Sequence, residues 1–183
     1  AFAIAKGSHV HCIEPNPAYM KGHTYRTCTF IQAAVGPQDN EVVNFSFGGE
    51  VGGVVGPDFN NKHVRNDVPS GTLPTVSVET LLRDFHAPAI IDYLSLDIEG
   101  AEYWVFQTFP WDKYIFSTLT VERPGDDLPV LLEKNGYTYL CDHGDFGDQF
   151  WVHRTLPNYD HVVSKYNKGP QGQCRSASEK GRM

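Results

Sequence analysis

Long apolar runs are missing from this sequence. No stretch approaches about 18 consecutive apolar residues, so no segment reads as a membrane-spanning helix. Closely spaced cysteines are missing too. Cys12, Cys28, Cys141 and Cys174 stand 16, 113 and 33 positions apart, which gives no CxxC pair and no zinc-site spacing. Basic clusters are scarce: up to His153 there are 9 basic residues against 20 acidic ones, and the whole chain carries a formal charge of −7. Tight binding to phosphate backbones needs Lys/Arg clusters, so nucleic acid is not an expected partner. The glycine-rich run Gly49-Glu50-Val51-Gly52-Gly53 has no lysine in P-loop position. There is no internal repeat. His9, His11 and Cys12 alternate along a short segment, which reads as strand residues rather than metal ligands, so no metal site is expected.

What is present is an ordinary globular composition. Of 183 residues, 40% are hydrophobic, enough for one domain with its own core. A core of that size does not need disulfides, so four free thiols are expected, with the cytoplasm as default compartment. The one glycosylation sequon, Asn44-Phe45-Ser46, is a short match that chance often produces.

The stretch from Ile90 to Glu102 organises the rest. It opens as an apolar, β-forming run suited to a strand buried on both faces and ends in Asp97, Glu99 and Glu102 around Gly100. Ala101 to Phe109 then carries a helical pattern that stops at Pro110. Open α/β sheets hold ligands where strands end in this way. Upstream, Ala1 to Lys6 reads as the end of a helix closed by Gly7. Val10 to Glu14 reads as a strand stopped by Pro15-Asn16-Pro17, with a short helix to follow. Phe30 to Val35 and Val42 to Phe47 read as strands able to pair as a hairpin around Gly36 to Asn40. Residues 48–71 form a glycine-rich loop that is a candidate pocket wall. A brief strand (Thr75 to Val78) and a helix (Glu79 to Phe85) come next. Phe116 to Glu122 is a strand ending in an acid, and Asp127 to Asn135 a helix closed by Gly136. Tyr137 to Cys141 and Gln149 to His153 form a closing strand pair, and the tail from Leu156 reads as disordered. The order gives an α/β fold with helices crossing over a largely parallel sheet.

Three acidic strand ends carry the chemistry. Glu14, stiffened by two prolines, suits the paired hydroxyls of a ribose, because a carboxylate only accepts hydrogen bonds. Asp97 ends an apolar strand, where a charge is costly unless it is used. Glu99 and Glu102 also suit the first turn of a helix, whose dipole favours acids. Glu122 precedes Arg123, so an ion pair between them is the plain alternative to a functional role.

Together Glu14-Pro15-Asn16-Pro17, the run Asp92 to Glu102 and Val121-Glu122 resemble the FkbM family of S-adenosylmethionine-dependent methyltransferases. Ala33-Ala34-Val35, Thr75 to Leu82 and Glu133 to Tyr137 add to the resemblance, which covers about residues 1–154. It implies a class I methyltransferase fold, a seven-stranded Rossmann-like sheet, mostly parallel with an antiparallel closing pair. It also implies methyl transfer to a hydroxyl oxygen of a small molecule or sugar. By that likeness Glu14 and Asn16 bind the cofactor, Ala34 lies near the adenine, and Asp97 lies by the methionine part. Asp97 and Glu122 are the candidate catalytic carboxylates. The family's first strand and its Asp-x-Gly-Ala-Asn-x-Gly type of turn have no equivalent in these residues. The resemblance therefore implies a domain over 1–154 that is incomplete at its amino end and binds cofactor poorly, followed by a basic tail over 155–183. Two other readings follow. One is a methyltransferase-like domain without catalysis. The other is a glycoside hydrolase built on Asp92, Asp97 and Glu99, against which stand Ser95, where a further acid is expected, and the roughly 250 residues a barrel needs.

Overall fold

The computed structural model describes residues 2–6, 9–19, 27–143, 147–168 and 174–176. The first half contains β1 (Phe2–Lys6), β2 (His9–Ile13), β3 (Thr29–Ile31), β4 (Ala34–Gly36), β5 (Val42–Ser46) and β6 (Ser70–Ser77). Then come α1 (Val78–Asp84), β7 (Ile90–Leu96), α2 (Glu102–Phe106), β8 (Ile115–Val121) and α3 (Asp127–Lys134). The chain closes with β9 (Tyr137–His143), β10 (Asp148–His153), α4 (Tyr159–Lys165), β11 (Tyr166–Lys168) and β12 (Cys174–Ser176).

Among the described residues one seven-stranded sheet runs in the order β3-β2-β1-β7-β8-β10-β9. Its middle is β7 and β8, paired in parallel from Ile90 opposite Ile115 to Leu96 opposite Val121. Alternation along a strand sends neighbouring side chains to opposite faces. Ile91 is buried on one face of β7 and Leu94 and Leu96 on the other, so the sheet is covered on both sides at its centre. Phe106 of α2, Leu81 and Leu82 of α1, and Leu128 and Leu132 of α3 complete the core with Phe116, Leu119 and Trp151. Burying each such side chain contributes about 1.5–3 kcal/mol. The helix that starts at Glu102 is shorter than its pattern suggests, because Pro110 disfavours helical backbone at Phe109.

Several expectations need correcting. Phe2–Lys6 is a strand, not a helix end, and it occupies an interior position between β2 and β7. There it pairs antiparallel with both neighbours, which supplies backbone partners to two strand edges that a single turn of helix would leave open. The sheet is consequently mixed rather than mostly parallel, since of its pairings only β2–β3 and β7–β8 are parallel. It is also open, which removes the barrel that a glycoside hydrolase reading needs. Phe30 to Val35 does not form one strand: the chain leaves the large sheet after Ile31 and joins β6 at Ala34 in a separate three-stranded sheet. The partner of β5 is β6, so there is no β5 hairpin with the preceding strand. The short helix expected after Pro17 falls partly on residues 20–26, outside the described residues.

The cysteines are paired. Cys12 joins Cys28 with Cα atoms 5.9 Å apart, and Cys141 joins Cys174 at 5.0 Å, leaving no free thiol. The second bond ties down the segment after Leu156, which is therefore structured over 156–168 and 174–176 rather than disordered. Leu156, Tyr159, Val162 and Tyr166 pack on Leu140 and Val152. In the chain-entropy account, a cross-link over 33 positions stabilises by about 3–4 kcal/mol. Replacing Cys141 and Cys174 by serine should lower the unfolding free energy from urea titration by an amount in that range, and an unchanged value would show that the cross-link contributes nothing to the fold.

Candidate functional site

Register builds the site. Because Leu96 sits opposite Val121, the next residues, Asp97 and Glu122, leave adjacent strand ends together. The Glu122 N–H donates to the Leu96 carbonyl at 2.9 Å and fixes that alignment. Glu99 and Gly100 then take left-handed backbone, φ 59° and 88°, and turn the chain back sharply. A β-carbon at Gly100 would lie 2.8 Å from Asn60 Oδ1, so glycine is required on both counts. Asn60 holds the turn twice: its N–H donates to the Glu99 carbonyl at 3.1 Å and its Nδ2 to Glu99 Oε2 at 3.2 Å. Carboxylate oxygens of Asp97, Glu99 and Glu122 thereby lie within 4.8 Å of one another.

Like charges at that spacing repel unless something intervenes. Arg123 Nη2 bonds Glu122 Oε1 at 2.6 Å, so the ion pair suggested by their adjacency exists. It does not cancel the crowding. Burial, then the hydrogen bond and charge of Asp97, push the Glu122 carboxyl up to about 7, against the lowering effect of Arg123. Near neutral pH the Glu122 carboxyl can therefore give or take a proton, with Asp97 beside it as one cause of the rise. An all-oxygen set at this spacing also has the donor chemistry of a hard divalent cation, which would compete with that proton. The alternating His9, His11 and Cys12 are not part of it.

Glu102 has a different task. It is 2% exposed, and its Oε1 accepts from the N–H groups of Ile98 and Gly100 at 3.1 and 3.2 Å. It clamps the turn from within rather than facing a ligand. Burial raises its pKa, with the backbone donors pulling the other way.

Glu14 lies at the end of β2. Its Oε1 accepts from Asn16 N–H at 2.8 Å, and Asn16 Oδ1 accepts from Ala18 N–H at 3.0 Å, so the Pro-Asn-Pro turn presents the carboxylate in one pose. Asn16 is buried, and its Nδ2 has no hydrogen-bond partner among the described residues. Glu14 and Asp97 line one cavity of about 40 Å³, with Ile13, Ala33, Val35 and Ile98 as apolar wall. Ala34 does not line it; alternation sends Ala33 and Val35 to the cavity and Ala34 away, to pair with Thr75. Gly52, Gly53 and Val54 close the cavity, which places part of the 48–71 loop in the wall as expected. A β-carbon on Gly53 would come within 3.0 Å of Glu99, so the loop packs flush on the acid cluster.

Two further cavities meet the same carboxylates. One, of about 240 Å³, is lined by Ser95, Asp97, Thr120, Glu122 and Asp148, and Asp148 Oδ1 is buried without a hydrogen-bond partner among the described residues. The other, of about 800 Å³, lies between the loop around Phe59 to Arg65 and the pair Glu99 and Arg123. Asn60 and Asp148 escaped the sequence reading. They stand 39 and 49 positions from Glu99, and neither belongs to a motif; the only signal was an Asn-Asn pair inside a glycine-rich loop.

The sequence matches the family described as Methyltransferase FkbM domain over residues 1–139. No curated protein and no solved structure matches the chain.

Two outcomes follow from the geometry. Glu102→Ala strips partners from two N–H groups in a buried turn and should cost about 2–4 kcal/mol in denaturant unfolding; a loss below about 0.5 kcal/mol would mean the clamp is ornamental. The raised pKa of Glu122 means that the folded state binds more protons than the unfolded one between about 4.5 and about 7, so stability falls as pH rises through that window. Glu122→Gln should flatten part of that fall, Glu102 contributing a component of the same sign.

Proposed function

We infer that this chain, which belongs to the FkbM methyltransferase family, moves a methyl group from S-adenosylmethionine to a hydroxyl oxygen of a small molecule or sugar. The observation that carries the reading is the cavity that Glu14 and Asp97 share at the ends of β2 and β7. The strand order supports it. Numbering reverses at β1, and doubly wound sheets of the Rossmann-like kind bind ligands beyond strand ends at such a reversal.

The donor set suits the cofactor's chemistry: a carboxylate for a ribose diol at Glu14, an anion for a sulfonium at Asp97, and an apolar wall between them. When bound, the cofactor supplies a methyl group on a good leaving group. The chain's part is then to hold the acceptor in line and take its proton. Asp97 and Glu122 do this as a pair, with Glu122 tuned by its neighbours to near neutrality. Ser95 and Thr120 hydroxyls beside them suit an acceptor rich in hydroxyl groups.

One observation favours a second reading. The cavity of about 40 Å³ is far below the roughly 300 Å³ that small-molecule sites usually offer, which suits a methyltransferase-like domain that holds no cofactor. Calorimetry with S-adenosylhomocysteine separates the two. Saturable binding, weak at above about 100 µM and weakened roughly tenfold more by Glu14→Ala, supports the enzyme; no heat at millimolar ligand supports the second reading. In the active case kcat/KM for methyl transfer should rise with pH up to a pKa of about 7 and then level off. Asp97→Asn should lower kcat by about 10²-fold or more.

A further inference from the structure

Three features of the chain have no part in methyl transfer: two disulfides and one surface asparagine. Cys12–Cys28 and Cys141–Cys174 consume all four cysteines, and both Cα separations, 5.9 and 5.0 Å, fall within the range that a disulfide spans. Cys12 and Cys141 are buried and Cys28 and Cys174 partly so, which shields each bond at one of its sulfurs from exchanging thiols. Cytosolic reductants keep such pairs open, whereas secretory and extracellular compartments close them. Two pairings with no cysteine left over mark a chain that matures where oxidation is allowed.

That compartment changes the meaning of Asn44-Phe45-Ser46. The sequence carries one such tripeptide, and the fold puts its asparagine where a glycan can stand. Along β5 the residues alternate: Val43 and Phe45 are buried against Val54, and Asn44 and Val42 are exposed on the opposite face. The Asn44 side chain makes no hydrogen bond to the described residues, so its modification breaks none among them. Phe45 lines the cavity of Glu14 and Asp97, which puts Asn44 on the side of β5 away from that cavity. A glycan there leaves the site open.

We propose that the protein matures in an oxidising compartment with both disulfides formed, and that Asn44 is an N-glycosylation site. The donor class is an oligosaccharide linked to an isoprenoid pyrophosphate. The Asn44 amide nitrogen bonds the anomeric carbon, the bond from that carbon to the pyrophosphate oxygen breaks, and the pyrophosphate keeps the electron pair while the amide loses a proton. Ser46, whose hydroxyl takes part in acceptor recognition, is buried in the folded chain, so transfer precedes the docking of β5. This departs from the cytoplasmic default and does not depend on the catalytic reading.

The test uses the protein isolated from the cells that make it, with thiols alkylated at lysis. Digestion without reductant, followed by mass spectrometry, should give peptides linked through Cys12–Cys28 and Cys141–Cys174. Treatment with an N-glycosidase in heavy-oxygen water should convert Asn44 to labelled aspartate. Asn44→Gln should speed migration on a denaturing gel without changing the disulfides. Four alkylated thiols would overturn the proposal entirely, and a disulfide-bonded protein with bare Asn44 would overturn the glycan.

Discussion

Everything at the site depends on one alignment, Leu96 opposite Val121 in the parallel pair β7–β8. A slip of one residue would turn every side chain of a strand to the other face and separate Asp97 from Glu122. The slip is prevented by what lies behind: Ile91, Leu94, Leu96, Phe116, Leu119 and Val121 are all buried, and each would be exposed or misplaced by it. Hydrophobic packing thus sets an electrostatic arrangement at the strand ends. The raised pKa of Glu122 follows from core register, which brings Asp97 beside it, more than from any contact at the surface.

Around that alignment, residues of one chemical type do different work. Glu102 is buried and closes a backbone turn. Glu99 is held by Asn60 at the edge of the cluster. Glu122 is half relieved by Arg123 and half crowded by Asp97. Glu14 stands apart, posed by Asn16. Environment decides the role in each case, through which donors reach the carboxylate and how much water does.

Sequence reading reached the strand ends because local pattern is sufficient there. Apolar runs closing in Glu14, Asp97 and Glu122 are legible as strands with acids at their tips, and each of these acids lines a cavity. What was not legible is set by distant partners. Whether Phe2–Lys6 is strand or helix depends on the vacancy between β2 and β7, which five residues cannot announce. The departure of the chain between Ile31 and Ala34 is decided by β6, some forty positions on. Asn60 matters only because Glu99 comes back to it. Cysteine pairing was misread because the need for a cross-link was judged from core size, whereas Cys141 and Cys174 fasten a small satellite cluster outside the main core.

That last bond has a topological result. It encloses everything from Asp142 to Gln173, including β10, which is a member of the main sheet, and α4, which is not. A peptide bond broken anywhere in that interval leaves the two pieces covalently attached. Such a nicked molecule gains only the mass of one water and keeps its two pieces together, and only a reducing agent would separate it into two chains.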